Sequence, residues 1–119
     1  MQDFKKLRVW NEAVALVLCV DISTKKLRRG SYAALRNQAF RAALSIPANI
    51  AEGRRKKTDK EFPRFLNIAA GSSSELESHL IVGREAGVIL ESNFVSLVGR
   101  TIRVRKMLFG LMRRLSDEA

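Results

Sequence analysis

One cysteine, two prolines and one histidine stand among 119 residues, and aromatic side chains make up only 7% of the chain. The lone Cys19 excludes an internal disulfide and fits a reducing compartment, and its apolar neighbours predict a buried, inert thiol. With a single histidine and no His, Cys or carboxylate cluster at ligand spacing, no metal site and no cofactor are expected. A nucleophile motif is also missing, so no residue is assigned a catalytic role and no small-molecule substrate is expected. The longest unbroken apolar run, "AVALVLCV" at 13–20, is less than half of what a bilayer span needs. The basic start before it makes a poor secretory signal, because Asn11 and Glu12 interrupt it and Asp21 stands where small residues should mark a cleavage site. A cytoplasmic protein without a membrane partner is the expectation.

What is present is positive charge. Lys and Arg number 22 against 12 Asp and Glu, a formal net charge of +10. The surplus is uneven: residues 1–60 hold 14 basic and 5 acidic groups, 61–119 hold 8 and 7. Such an excess makes a polyanion a plausible partner, bound through phosphate contacts that release counterions. Hydrophobic residues at 46% are enough for a core, and the length fits one domain covering 1–119.

Helical periodicity dominates, and no alternating strand pattern with hairpin turns appears. Four helices are predicted over 6–28, 32–54, 59–87 and 92–116. Gly30-Ser31 separates the first pair, Gly53 and the basic run close the second, and Thr58-x-x-Glu61 is a capping box for the third. Gly87 ends the third helix, and Ser92 or Asn93 can cap the fourth. Short connections make sequential neighbours antiparallel, so the fold class is all-α: an up-down-up-down four-helix bundle. Leu35, Ala39, Ala42, Ile46 and Ile50 form the apolar stripe of the second helix, and Phe62, Leu66, Ala69, Leu76 and Leu80 that of the third. Residues 13–20 are apolar nearly all round, and the fourth helix is apolar over about half its circumference. Faces that broad exceed what a lone bundle covers, which predicts a homo-oligomer.

The segment "SIPANIAEGRRKK", 45–57, sets Pro47 among helix formers, where it should kink or break the second helix by removing a donor and crowding the Ala43 carbonyl. Around it lies a polar seam of Arg41, Ser45, Asn49 and Glu52. The third helix carries a second seam, Ser72, Glu75 and His79. Pairing across helices is the expected role of this network, with Arg41 matched to Glu75, and Arg105 to Glu75 or Glu77. Arg105 rises from the middle of the fourth helix's apolar face and so needs an acid partner. The same residues permit an acid/base reading through Glu52, Glu75 and His79, which lacks any supporting motif. "GSSSE", 71–75, lacks the frame of a phosphate loop and suits close helix packing instead.

The candidate nucleic-acid contacts are cationic. Arg54, Arg55, Lys56 and Lys57 cluster where the second helix ends, beyond what its dipole requires. "KKLRR", 25–29, closes the first helix at the opposite pole. Arg100, Arg103, Lys106, Arg113 and Arg114 line the narrow polar side of the fourth helix, with no acid among them, as a backbone-tracking surface. Stacking aromatics are few, Tyr32 and a core-like Trp10, so base-specific reading of single strands is weakly supported.

"FKKLRVWNEAVAL", "RNQAFRAALSIPANIAEG" and "KEFPRFLNIAAGSSSELESHL", together covering about 4–87, resemble the proteins encoded in intervening sequences of bacterial 23S rRNA genes. The matching positions include Arg41, Ser45, Pro47, Asn49, Glu52, Gly53, Arg64, Phe65, Gly71, Ser72, Glu75 and Glu77. That resemblance implies a four-helix bundle assembling into homo-oligomers, pentameric rings in particular, and no established enzymatic activity. It is also similar to the accessory protein of diversity-generating retroelements, a basic bundle working with nucleic acid. Two positions depart from the pattern: Pro63 in the first turn of the third helix, and His79 where glutamine is more usual. The expected function is a non-enzymatic, homo-oligomeric nucleic-acid-binding protein, with RNA favoured. An oligomeric scaffold that recruits other proteins is the alternative.

Overall fold

A computed structural model describes residues 3–55 and 60–118. Four helices make the fold: α1 (Arg8–Thr24), α2 (Ala33–Arg55), α3 (Glu61–Glu85) and α4 (Glu91–Glu118), with 3-10 turns at Phe4–Lys6 and Lys25–Arg28. Among the described residues there is no strand. The all-α bundle read from periodicity is therefore the fold, an elongated body of 47 × 21 × 19 Å.

Cross-helix pairs fix the directions. Ser45 of α2 meets Ser72 of α3, and Gly53 near the end of α2 lies against Phe65 near the start of α3, so these two run antiparallel. Arg105 of α4 reaches Ser74 and Glu77 of α3, while Arg84 late in α3 covers Phe94 early in α4, which sets that pair antiparallel too. At the α1–α2 corner, Asp21 near the end of α1 holds Arg36 in the first turn of α2. Each helix adds to one core, in which Leu16, Ile46, Ile50, Leu66, Leu76, Leu80, Leu97 and Leu108 are fully buried. Burial of a side chain of this size contributes about 1.5–3 kcal/mol. Thr24, Ser73 and Thr101, also buried, satisfy their hydroxyls on carbonyls of their own helices.

Several local expectations change. The 3-10 turns at both ends shorten α1: Leu7 is extended and its amide closes the first turn on Phe4, and Thr24 leaves helical geometry at ψ 9°. Helix α2 is not broken at Pro47, which is buried inside it. A mid-helix proline costs about 3 kcal/mol, and burial of Ile46 and Ile50 on either side contributes a similar amount. Gly53 does not end α2, which continues to Arg55; it serves close packing against α3. The α4 start precedes Ser92 and Asn93: Glu91 is its first residue, and the Phe94 amide bonds the Leu90 carbonyl. Thr58 lies outside the described residues, and the residue preceding α3 is Lys60, which makes no side-chain cap. Cys19 is half-buried against the core rather than enclosed.

The α3–α4 turn does follow its glycine. Gly87 takes φ +75°, and the Val88 and Ile89 amides return to the Gly83 carbonyl at 3.0 and 3.2 Å. A left-handed residue there satisfies carbonyls that the helix end would otherwise orphan. Ile89 then folds back over Gly83, where a Cβ would come within 2.8 Å of its Cγ1.

Candidate functional site

The polar network of α2 and α3 forms, with changed partners. Asn49 Nδ2 donates to the Ser45 carbonyl (2.8 Å) and to Ser45 Oγ (2.9 Å); Ser45 Oγ lies 2.8 Å from Ser72 Oγ, which reaches the Ile68 carbonyl at 3.3 Å. With Asn49 donating, one consistent order runs Asn49 to Ser45 to Ser72 to Ile68, and it bridges the two helices. Arg105, as its place on an apolar face required, pairs with Glu77 at 2.5 Å and donates to Ser74 at 3.1 Å.

Arg41 does not meet Glu75 within the subunit. Arg41 is exposed and in no ion pair among the described residues, and Glu75 contacts His79 on its own helix, Nε2 to Oε2 3.4 Å. The two sit on outer shoulders of α2 and α3, apart from the seam that Ser45 and Ser72 close. Glu52 pairs with Arg55 at 3.3 Å, so of the three residues of the acid/base reading Glu75 and His79 meet each other while Glu52 has an attachment on its own helix.

The cations divide likewise. Arg54 turns inward, its guanidinium 5.2 Å from the centre of the Phe62 ring, and Arg55 is the partner of Glu52. Lys56 and Lys57 lie outside the described residues. On α4, Arg100, Lys106, Arg113 and Arg114 are exposed and in no ion pair among the described residues, whereas Arg103 reaches across to Glu12 of α1 at 3.3 Å. The polar side of α4 is thus not acid-free once folded, because α1 supplies Glu12.

Sequence reading missed two features. Asp21, Arg28 and Arg36 form a cluster at the α1–α2 corner, with Arg36 only 8% exposed and stacked on Phe40. Charge at the end of one helix and the start of the next gives no hint of burial. The second is the placement of the Phe4–Lys6 turn. Asn11 Nδ2 donates to the Lys5 carbonyl (2.9 Å) and the Leu7 carbonyl (3.0 Å), pinning the turn and its lysines to the start of α1. The Lys5 amide also bonds Asp3, which holds that carboxyl below its usual range. An asparagine one turn into a helix, after a basic opening, was the available signal.

A basic antiparallel helical bundle, with a polar inter-helix relay and exposed cations along its last helix, is the class that fold and surface define. The model of the 23S rRNA-intervening sequence protein family matches residues 5–110, so the chain belongs to that family. In fold it is similar to the crystal structure of a protein with unknown function from the S23 ribosomal protein family of Bacteroides thetaiotaomicron VPI-5482. That likeness has a TM-score of 0.74 at 22% identity, over 87% of this chain and 97% of that one. No curated protein matches the chain.

Proposed function

We propose that this protein is a non-enzymatic, homo-oligomeric nucleic-acid-binding protein of the cytoplasm, acting on RNA through basic surface contacts to phosphates. The observation that carries the reading is the set Arg100, Lys106, Arg113 and Arg114, exposed along one helix with no ion pair among the described residues. Cations that the fold does not use for itself remain available for phosphates. No helix of the described residues is long and apolar enough to cross a membrane, which fits a partner met in solution.

Self-association is supported by apolar surface in two stripes. Leu18 and Ile22, one turn apart on the outer side of α1, are 57% and 73% exposed. Val95, Ile102 and Phe109 recur at sevens on α4, with Val95 and Phe109 exposed. Stripes at heptad spacing suit a helix of another copy. A five-membered ring is the assembly that the resemblance implies.

The test is a salt titration of binding to a structured RNA and to duplex DNA. Affinity should fall steeply with salt. Alanine at Arg100, Lys106, Arg113 and Arg114 should weaken binding and flatten the slope by about one for each phosphate no longer neutralised. Absence of binding at low salt would remove this reading in favour of the protein scaffold, for which the exposed Val82 and Leu90 offer an apolar docking surface.

A further inference from the structure

We propose that the phosphate backbone of a paired nucleic acid lies along the α1–α4 face, and that Glu12 acts there as a built-in brake by occupying Arg103. This rests on the nucleic-acid reading above and names the line that the ligand takes.

The Glu12–Arg103 pair sets the register of α1 against α4. With the helices antiparallel, Arg8 lies level with Met107, whereas the Phe4–Lys6 turn packs against α1 and α2, with Phe4 on Trp10. Arg100, Arg103 and Arg114 fall within about 60° of one another on α4, on the flank that Glu12 contacts, while Lys106 and Arg113 lie about 60–80° further round. Arg8 sits one turn before Glu12 on the same flank of α1. The five-residue polar side of α4 is therefore two surfaces, of which one is joined by Arg8 from the start of α1.

From Arg100 to Arg114 this seam covers about 21 Å of helix, the length of about six nucleotide steps of one strand. Glu12 is the acid that pairs with a cation of this seam, and Glu118 stands on the same flank one turn beyond Arg114, past the seam's end. Glu12 keeps 27% side-chain exposure and Arg103 57%, so an approaching phosphate can compete for the guanidinium.

Aromatic rings are elsewhere. Phe4 and Trp10 face each other edge-on at 5.2 Å, Tyr32 is at the far pole, and Phe109 is one turn from Arg105 on the α3 flank. A groove without stacking platforms follows a backbone and leaves bases paired.

Glu12→Gln removes one negative charge and frees Arg103. It should tighten binding to an RNA hairpin at least about threefold at low salt and steepen the salt slope by about one. Arg8→Ala with Arg114→Ala should weaken it, and poly-uridine should bind more weakly than the hairpin. Circular dichroism melts of each variant control for folding. If wild type binds but Glu12→Gln and the arginine pair leave affinity unchanged, the seam is wrong while nucleic-acid binding stands. Tighter binding of poly-uridine than of the hairpin overturns the paired-strand assignment. No binding by wild type at low salt removes both.

Discussion

Gly53 of α2 and Phe65 of α3 lie so close that a Cβ on the glycine would stand 2.6 Å from the Cβ of Phe65 and 3.1 Å from a ring carbon of Phe62. Two helix backbones approach at this point because one of them has no side chain. Gly53 keeps ordinary helical geometry, so its role is room and not conformation.

Gly53→Ala should therefore destabilise the bundle by about 1–3 kcal/mol through overpacking, despite the helix propensity that alanine gains. Gly99→Ala is the control, since a Cβ there meets nothing within 4 Å. It should stabilise by about 0.5–1 kcal/mol. Thermal melts of the two variants should move in opposite directions, and a shared direction would sink the close-packing account.

Glu77, and not Glu75, is the acid on which the fold depends. Arg105 and Glu77 retain 20% and 27% side-chain exposure, which places the pair between surface and core. Glu77→Ala should cost about 1–3 kcal/mol because it leaves a largely desolvated guanidinium without its carboxylate. Glu75→Gln should change stability by less than about 0.5 kcal/mol, since its contact with His79 is on an exposed surface. Denaturant titrations of both variants read this directly, and equal losses would contradict the assignment.

At the α1–α2 corner Arg36 is buried with its Nε unpartnered and depends on Asp21. Asp21→Ala should destabilise by about 2–4 kcal/mol, somewhat below the value for a fully buried pair. Arg36→Met in the same background should recover much of that loss, because a buried apolar chain of similar volume needs no counter-charge. A double-mutant cycle in which the second change adds a further loss would refute the dependence.

Gly87→Ala should cost about 1 kcal/mol, because φ +75° places a Cβ against the backbone. Chemical denaturation measures it, and a neutral result would mean that the α3–α4 turn relaxes to another geometry.

Solution mass tests self-association. The native protein should sediment well above its 13.4 kDa subunit mass. Leu18→Glu and Phe109→Glu should each shift it toward the monomer, with helical content kept. A concentration-independent monomer in the wild type would end the oligomer proposal.

The repeating spacing of Ile46 and Ile50, of Leu66, Leu76 and Leu80, and the punctuation at Gly30 and Gly87, were enough to give four helices and their buried faces. Helical periodicity is a local property, and a core forms wherever such stripes can meet. Partnership is not local. Whether Arg105 pairs with Glu75 or Glu77 depends on a 100° turn per residue and on helix register, which the folded bundle fixes. The same holds for Gly53, whose place near a helix end suggested termination until Phe65 lay against it. It holds for Arg103, free on its own helix and bound once α1 brings Glu12 across. The chain by itself therefore determined which stretches coil and which sides are buried, because those follow from neighbours in sequence. Only the packed bundle decided which charges are consumed internally and which stay available, because an ion pair is set by separations of a few ångströms between residues far apart in the chain.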